Sequence, residues 1–184
     1  ATYPSPYPAT LAALLPAVVD NLGVAGEATP SGLSRLPDVI GITHDVVIIL
    51  EGSNDASGIF RTDTEAGRLA KAAAIASNLG AMVGQARGQG QKVVLATLPP
   101  TVPIQLANPD GYTRYRGAEL SAILLVNAAI REIFDAYRDD RYFVGADVYQ
   151  ALMDASGNNP ASLLSVDGLH PKAEGYDVIA NAIH

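Results

Sequence analysis

The sequence predicts an α/β fold of three layers, a parallel flavodoxin-like sheet between two layers of helices, and two observations carry that prediction. The runs "DVVIILE" (45–51) and "KVVLATL" (92–98) are rich in Val, Ile and Leu and lack polar alternation, as strands covered on both faces do. Helix-like segments of ten or more residues separate the strand-like runs, which calls for right-handed crossovers between parallel strands.

In order along the chain, "YPATLAALL" (7–15) fits a helix with Leu11, Leu14 and Leu15 on one face. "AVVDNLGV" (17–24) fits a strand that ends at Gly26 in a Gly/Thr/Pro/Ser loop, and 45–51 is the next strand. The Ala-rich segment from Thr64 to about Gln89 reads as a long helix, with Asp63 or Thr62 as N-cap and Gly88 and Gly90 at its end. The strand 92–98 is closed by Pro99 and Pro100. Residues 99–116, "PPTVPIQLANPDGYTRYR", read as a long irregular loop of the kind that forms functional rims or lids. A helix follows from about Gly117 to Arg138, then a short strand "RYFVGADV" (141–148), and a last helix from Pro171 to the end.

At 184 residues and 48% apolar side chains, residues 1–184 are expected to form a single domain with a sizeable core. There is no internal repeat or low-complexity tract. A net charge of −7, with 12 Lys plus Arg scattered singly, argues against nucleic acid or an anionic membrane surface as partner. A small or neutral molecule fits better. No apolar run approaches the roughly 20 residues of a membrane span, and the absence of cysteine excludes disulfides, thiolate metal sites and cysteine nucleophiles. The chain opens on "ATYPSPYP" without a signal-peptide pattern or an initiator Met, so an upstream piece is expected; secretion stays open.

Three strand ends carry polar or glycine-bearing turns: "NLGVAGEAT" (21–29), "EGSND" (51–55) and "SVDGLHP" (165–171). Each alone has a bland reading, as ordinary turn chemistry, a capping neighbour or a glycine-loosened junction. Together they describe a site outside the carboxyl ends of a parallel sheet. Asp167 and His170 are three residues apart, close enough for the carboxylate to hold the imidazole in one tautomer as a general base. Pro171 biases His170 away from the helical region and so displays the ring at the loop. Asn54 offers a side-chain NH2 and Gly26 an unshielded backbone N–H, the two donors of an oxyanion hole. The reaction class is acyl transfer.

Those blocks resemble the SGNH hydrolases, or GDSL lipases and esterases. "NLGVAGEAT" is similar to the family's second block with Gly26 at the oxyanion glycine, "EGSND" to the third with Asn54 at the oxyanion asparagine, and "DGLHP" to the fifth with Asp167 and His170 as triad acid and base. Their order and spacing match along the whole chain. The resemblance implies the SGNH hydrolase fold and a carboxylic ester hydrolase of esterase, lipase or acetylesterase type, with a small-molecule ester as substrate. The sequence holds no HExxH, Walker A or GxGxxG pattern, so no cofactor and no metal are expected.

One block departs from the pattern. The family's nucleophile stands in a Gly-Asp-Ser at the end of the first strand, and this sequence has no Gly-Asp dipeptide and none of its ten serines in that context. By the resemblance, the serine is supplied from outside this sequence, and a separate or unrecorded N-terminal segment would complete the sheet between the strands at 17–24 and 45–51. Ser53 is the local substitute, against its reading as a turn hydroxyl; Ser31 and Ser34 read as helix-start or turn residues. The alternative functions are a non-catalytic flavodoxin-like binding module and an inactive truncated pseudo-enzyme. His44 and His184 read as surface histidines, "DASGNNPASLLS" (154–165) lacks the Gly and Glu of a calcium loop, and Tyr112, Arg114, Tyr115 and Arg116 line a pocket or a solvated rim.

Overall fold

A computed structural model describes residues 6–41, 44–60, 64–102, 105–107, 113–115 and 117–184. In chain order its helices are α1 (Tyr7–Leu14), α2 (Thr29–Ile40), α3 (Ser53–Phe60), α4 (Glu65–Gly88), α5 (Gly117–Ala136), α6 (Val148–Ala155) and α7 (Ala173–Ile183). The strands are β1 (Val46–Ile49), β2 (Lys92–Ala96), β3 (Gln105–Ala107), β4 (Thr113–Tyr115) and β5 (Phe143–Ala146). They group into two compact units, the first from residues 1–23, 99–120 and 147–184, the second from 24–98 and 121–146.

The second unit holds the parallel sheet, in the order β1-β2-β5. Val46 lies beside Lys92 and Ile49 beside Leu95, and on the other edge of β2 Val93 lies beside Phe143 and Ala96 beside Ala146. The β-branched residues of β1 and β2 fit this pleated, covered surface, and β2 is central, with Val93, Leu95 and Ala96 buried. Flanking helices cover the sheet: α4 packs on β2, and α2 and α3 pack on α4. The stripe Ile75, Leu79, Met82, Val83 and Ala86 of α4 is buried, each large side chain contributing about 1.5–3 kcal/mol of hydrophobic stabilisation. Just beyond β2, the fully buried Asn127 of α5 accepts a hydrogen bond from Leu98 N–H (2.7 Å) and donates one to Leu98 C=O (2.9 Å). A side chain thereby satisfies the backbone where the strand ladder stops.

In the first unit α1 and α6 pack on α7, and β3 and β4 form an antiparallel pair. The α/β class with a parallel sheet flanked by helices is as the apolar runs predict. Several elements differ from the expectations. Residues 17–24 are not a strand; Asn21 Oδ1 accepts from Gly23 N–H in a local turn, and Val18 is 89% exposed. Without pairing partners an extended apolar run has neither ladder nor core to hold it. Helix α2 occupies what reads as a Gly/Pro/Ser loop. Its first N–H, at Thr29, is capped from another segment by both oxygens of Asp55 (3.1 and 3.0 Å), a partner no local pattern announces. "EGSND" is a turn only through Gly52, since α3 begins at Ser53.

The N-cap of α4 is Thr64, whose hydroxyl accepts from Gly67 N–H (3.1 Å); Asp63 and Thr62 lie outside the described residues. The expected loop 99–116 carries the β3–β4 pair, with Arg114 and Tyr115 in β4 and Tyr112 and Arg116 outside the described residues. Asp154 and the residues after it end α6 and enter a 3-10 turn at Pro160–Ser162. The last helix starts at Ala173 rather than Pro171, because Pro171 is engaged in a bridge with Leu164. No helix among the described residues is long and apolar enough to cross a membrane.

Candidate active site

The candidate residues come together as two pairs, one in each unit. In the second unit Gly26 sits in a turn closed by a hydrogen bond from Glu27 N–H to Val24 C=O (3.2 Å), at φ +78°, where glycine avoids the steric cost of a side chain. Open space lies where a Cβ would stand. Asn54, in the first turn of α3, donates its Nδ2 to Glu27 C=O (2.8 Å) and so ties the asparagine to the Gly26 turn. Two neighbours brace the same turn. Asp55 accepts from Thr29 N–H and from Thr29 Oγ1 (2.8 Å), while Asn78 Nδ2 donates to Thr29 Oγ1 (3.0 Å). Arg35 grips Glu27 through two hydrogen bonds (3.0 and 2.7 Å), which hold the Glu27 carboxyl below its usual range.

Glu51 is different. It leaves β1 toward the turn at Gly52 (φ +116°), and its carboxylate lies against Gly32 of α2 so closely that a Cβ at position 32 would overlap it. Among the described residues its buried Oε1 has no hydrogen-bond partner. Burial, then the charges of Glu27 and Asp55, push the Glu51 carboxyl up to about 7 against the opposing pull of Arg35.

In the first unit Asp167 and His170 share one short loop. His170 Nδ1 lies 2.6 Å from Asp167 Oδ2. Asp167 Oδ1 accepts from Ser165 Oγ (2.6 Å), Leu169 N–H (2.9 Å) and His170 N–H (3.0 Å). Burial alone would raise the Asp167 carboxyl, but these donors, the His170 ring first and Ser165 next, hold it well below the usual carboxylate range. The loop itself is closed by Ser165 N–H to His170 C=O (2.7 Å) and Gly168 N–H to Ser165 C=O (2.9 Å), with Gly168 at φ +66°. Over half of the His170 side chain is exposed, 54%, so the ring is displayed to solvent while its Nδ1 is occupied. An imidazole so held presents Nε2 as the basic nitrogen, the arrangement of a general base oriented by a carboxylate.

The sequence marks Gly26, Asn54, Asp167 and His170 as candidates, but not Ser165, Asp55 or Glu51. Ser165 stands two residues before Asp167, a spacing from which a hydroxyl reaches back to an Asx turn, so a local signal existed. Nothing local marks Glu51 or Asp55, whose partners in α2 lie far back along the chain. Ser53 begins α3, Ser31 and Ser34 are part of α2, His184 ends α7 on the surface, and His44 is half-buried.

The family model described as the GDSL-like Lipase/Acylhydrolase family matches residues 1–178. Among solved structures, the chain is similar to an acetylxylan esterase from Geobacillus stearothermophilus, with TM-score 0.72 and 19% identity over 97% of this chain and 78% of that one. It is also similar to a second acetyl xylan esterase (TM-score 0.72, 18% identity, 96% and 88% covered). An alpha/beta hydrolase enzyme from the metagenome of Lake Arreo, Spain, matches at TM-score 0.70 and 22% identity, covering 96% of this chain and 78% of the other. At these identities the likeness is one of fold. No curated protein matches the sequence.

Proposed function

The chain belongs to the GDSL-like lipase/acylhydrolase family, and from that premise we propose that it cleaves carboxylic esters by a Ser-His-Asp mechanism in one 1–184 domain, its serine supplied from outside these residues. The observation that supports the reading most is the 2.6 Å contact between His170 Nδ1 and Asp167 Oδ2 beneath an exposed imidazole. The serine attacks the acyl carbonyl while His170 Nε2 takes its proton. Asp167 keeps the imidazole in the Nδ1–H tautomer and stabilises the imidazolium that forms. Gly26 N–H and Asn54 Nδ2–H, with the serine's own N–H, stabilise the oxyanion. Collapse of the tetrahedral intermediate expels the alcohol with the proton from His170. His170 then activates water to hydrolyse the acyl-enzyme.

The test uses the full-length protein, with p-nitrophenyl acetate, p-nitrophenyl butyrate and an acetylated xylooligosaccharide as substrates and a fluorophosphonate as covalent probe. The expected result is turnover, one phosphonyl adduct on a serine outside residues 1–184, and loss of kcat by about 10³-fold or more in His170→Ala. Absence of both turnover and adduct sinks the hydrolase reading and leaves the chain a binding module. An adduct on Ser53 would correct the source of the nucleophile.

A further inference from the structure

Asp167 uses its two oxygens unequally. Oδ2 meets one partner, the His170 ring, whereas Oδ1 accepts three donors, from Ser165 Oγ, Leu169 N–H and His170 N–H. Of the three only Ser165 contributes through a side chain, and only Ser165 precedes Asp167 in the chain, so the backbone donors alone hold the carboxylate from the residues that follow it. We propose that Ser165 is a positioning residue of the dyad, its hydroxyl fixing the rotation of the Asp167 carboxylate so that Oδ2 faces His170 Nδ1. This rests on the ester-hydrolase reading for its effect on rate, but not for its effect on geometry.

The competing account is that Ser165 is an ordinary turn residue. Its backbone already closes the turn, since Ser165 N–H donates to His170 C=O (2.7 Å) and Ser165 C=O accepts from Gly168 N–H (2.9 Å). Both bonds survive removal of the hydroxyl. What disappears is a 2.6 Å charge-assisted hydrogen bond to a carboxylate, a class about twice as strong as a neutral one. The carboxylate then keeps two donors on Oδ1 and gains freedom to rotate about its Cβ–Cγ bond, where a misorientation of about 10–20° is enough to degrade a catalytic constellation. Among the described residues, the titratable groups acting on or sensing Asp167 are His170 from its own loop and Tyr176 from α7. Burial, then the Asp167 charge, raises the Tyr176 phenol above its ordinary 10, so it stays neutral and offers no compensating charge.

The experiment compares Ser165→Ala and Ser165→Thr in the full-length protein by two readouts. The first is the low-field proton resonance of His170 Nδ1–H, which reports the Asp167–His170 hydrogen bond whether or not the protein turns over an ester. In Ser165→Ala it should move upfield and exchange faster with water, and in Ser165→Thr, which retains the hydroxyl, it should stay with the parent. The second is a double-mutant cycle on ester hydrolysis with Asp167→Asn. Ser165→Ala should lower kcat about tenfold with KM within about twofold, and by less than about twofold once Asp167 is already Asn, because the hydroxyl acts only through the carboxylate. An unmoved resonance in Ser165→Ala overturns the proposal, as does an equal loss of rate in both backgrounds. A protein without turnover defeats the hydrolase reading alone, since the resonance still decides the role of Ser165. Should Ala collapse the loop, Ser165→Cys, near in shape but a weak donor, is judged by the same resonance.

Discussion

Replacing Glu51 by Gln isolates one buried proton. The carboxyl of Glu51 lies against Gly32, its Oε1 has no hydrogen-bond partner among the described residues, and Glu27 and Asp55 add negative charge nearby. The group therefore binds its proton more tightly in the folded chain, where it titrates at about 7, than in the unfolded chain, where it titrates near 4.5. Between those values the native state holds more protons than the unfolded state, so this contribution to stability is full below pH 4.5 and lost as pH rises through 7. The separation corresponds to about 3 kcal/mol at its upper bound, and partial access of water brings the expected loss to about 1–3 kcal/mol. Glu51→Gln keeps the shape and removes the titration. Urea unfolding followed by far-UV circular dichroism suits a chain without Trp, and the two proteins should be compared from about pH 4.5 to pH 8. Ionisations common to both cancel in the difference. The Gln variant should gain on the parent steadily over that range, levelling above about pH 7. A difference that changes by less than about 0.5 kcal/mol, or that falls with pH, would refute the assignment of a neutral buried Glu51.

Asn127→Ala leaves Leu98 N–H and C=O buried without partners and should cost about 2–4 kcal/mol in the same unfolding assay, against near-parent stability for an exposed change such as Glu65→Ala. Gly145→Ala drives a methyl into the ring of Phe134 behind β5 and should cost about 1–3 kcal/mol, relieved in part by Phe134→Leu in the same chain. Asn54→Ala should lower kcat of ester hydrolysis by about 10²–10³ with little change in KM, as removal of a transition-state donor does. Asp167→Asn should lower kcat by about 10³–10⁴ through the wrong His170 tautomer. Since the native fold holds the Asp167 carboxyl below its usual range, its stabilising contribution is present above the unfolded carboxylate range and fades as pH falls, opposite in sign to Glu51.

What the sequence made legible is what local patterns encode. β1 and β2 announce themselves by uninterrupted branched apolar residues, α4 by its Ala-rich length, and the dyad by an Asp, a Gly, a His and a Pro within five positions. Features whose partners lie far along the chain stayed hidden. Residues 17–24 look like a strand because propensity counts side chains and not neighbours, yet nothing in the described sheet pairs with them. Helix α2 contains Pro30, Gly32 and Pro37 and would be dismissed on propensity; its Thr29 N–H is capped by Asp55 and its Gly32 makes room for Glu51. The sequence pairs Asp167 with His170, and the structure brings the two side chains together, while nothing in the reading singles out the Ser165 hydroxyl two residues upstream of Asp167.

The bond from Thr29 to Asp55 also makes the start of α2 depend on a distant segment of the chain. A twelve-residue helix with two prolines and an alanine at its N-cap is of marginal length for an isolated helix in water, and its Thr29 N–H is capped by a carboxylate 26 positions later in the chain. The Gly26 turn lies just before α2 and is tied to α3 through Asn54, so α3 supports both the start of α2 and the turn that precedes it. Loosening of α3 would thereby release the start of α2 and the Gly26 turn together.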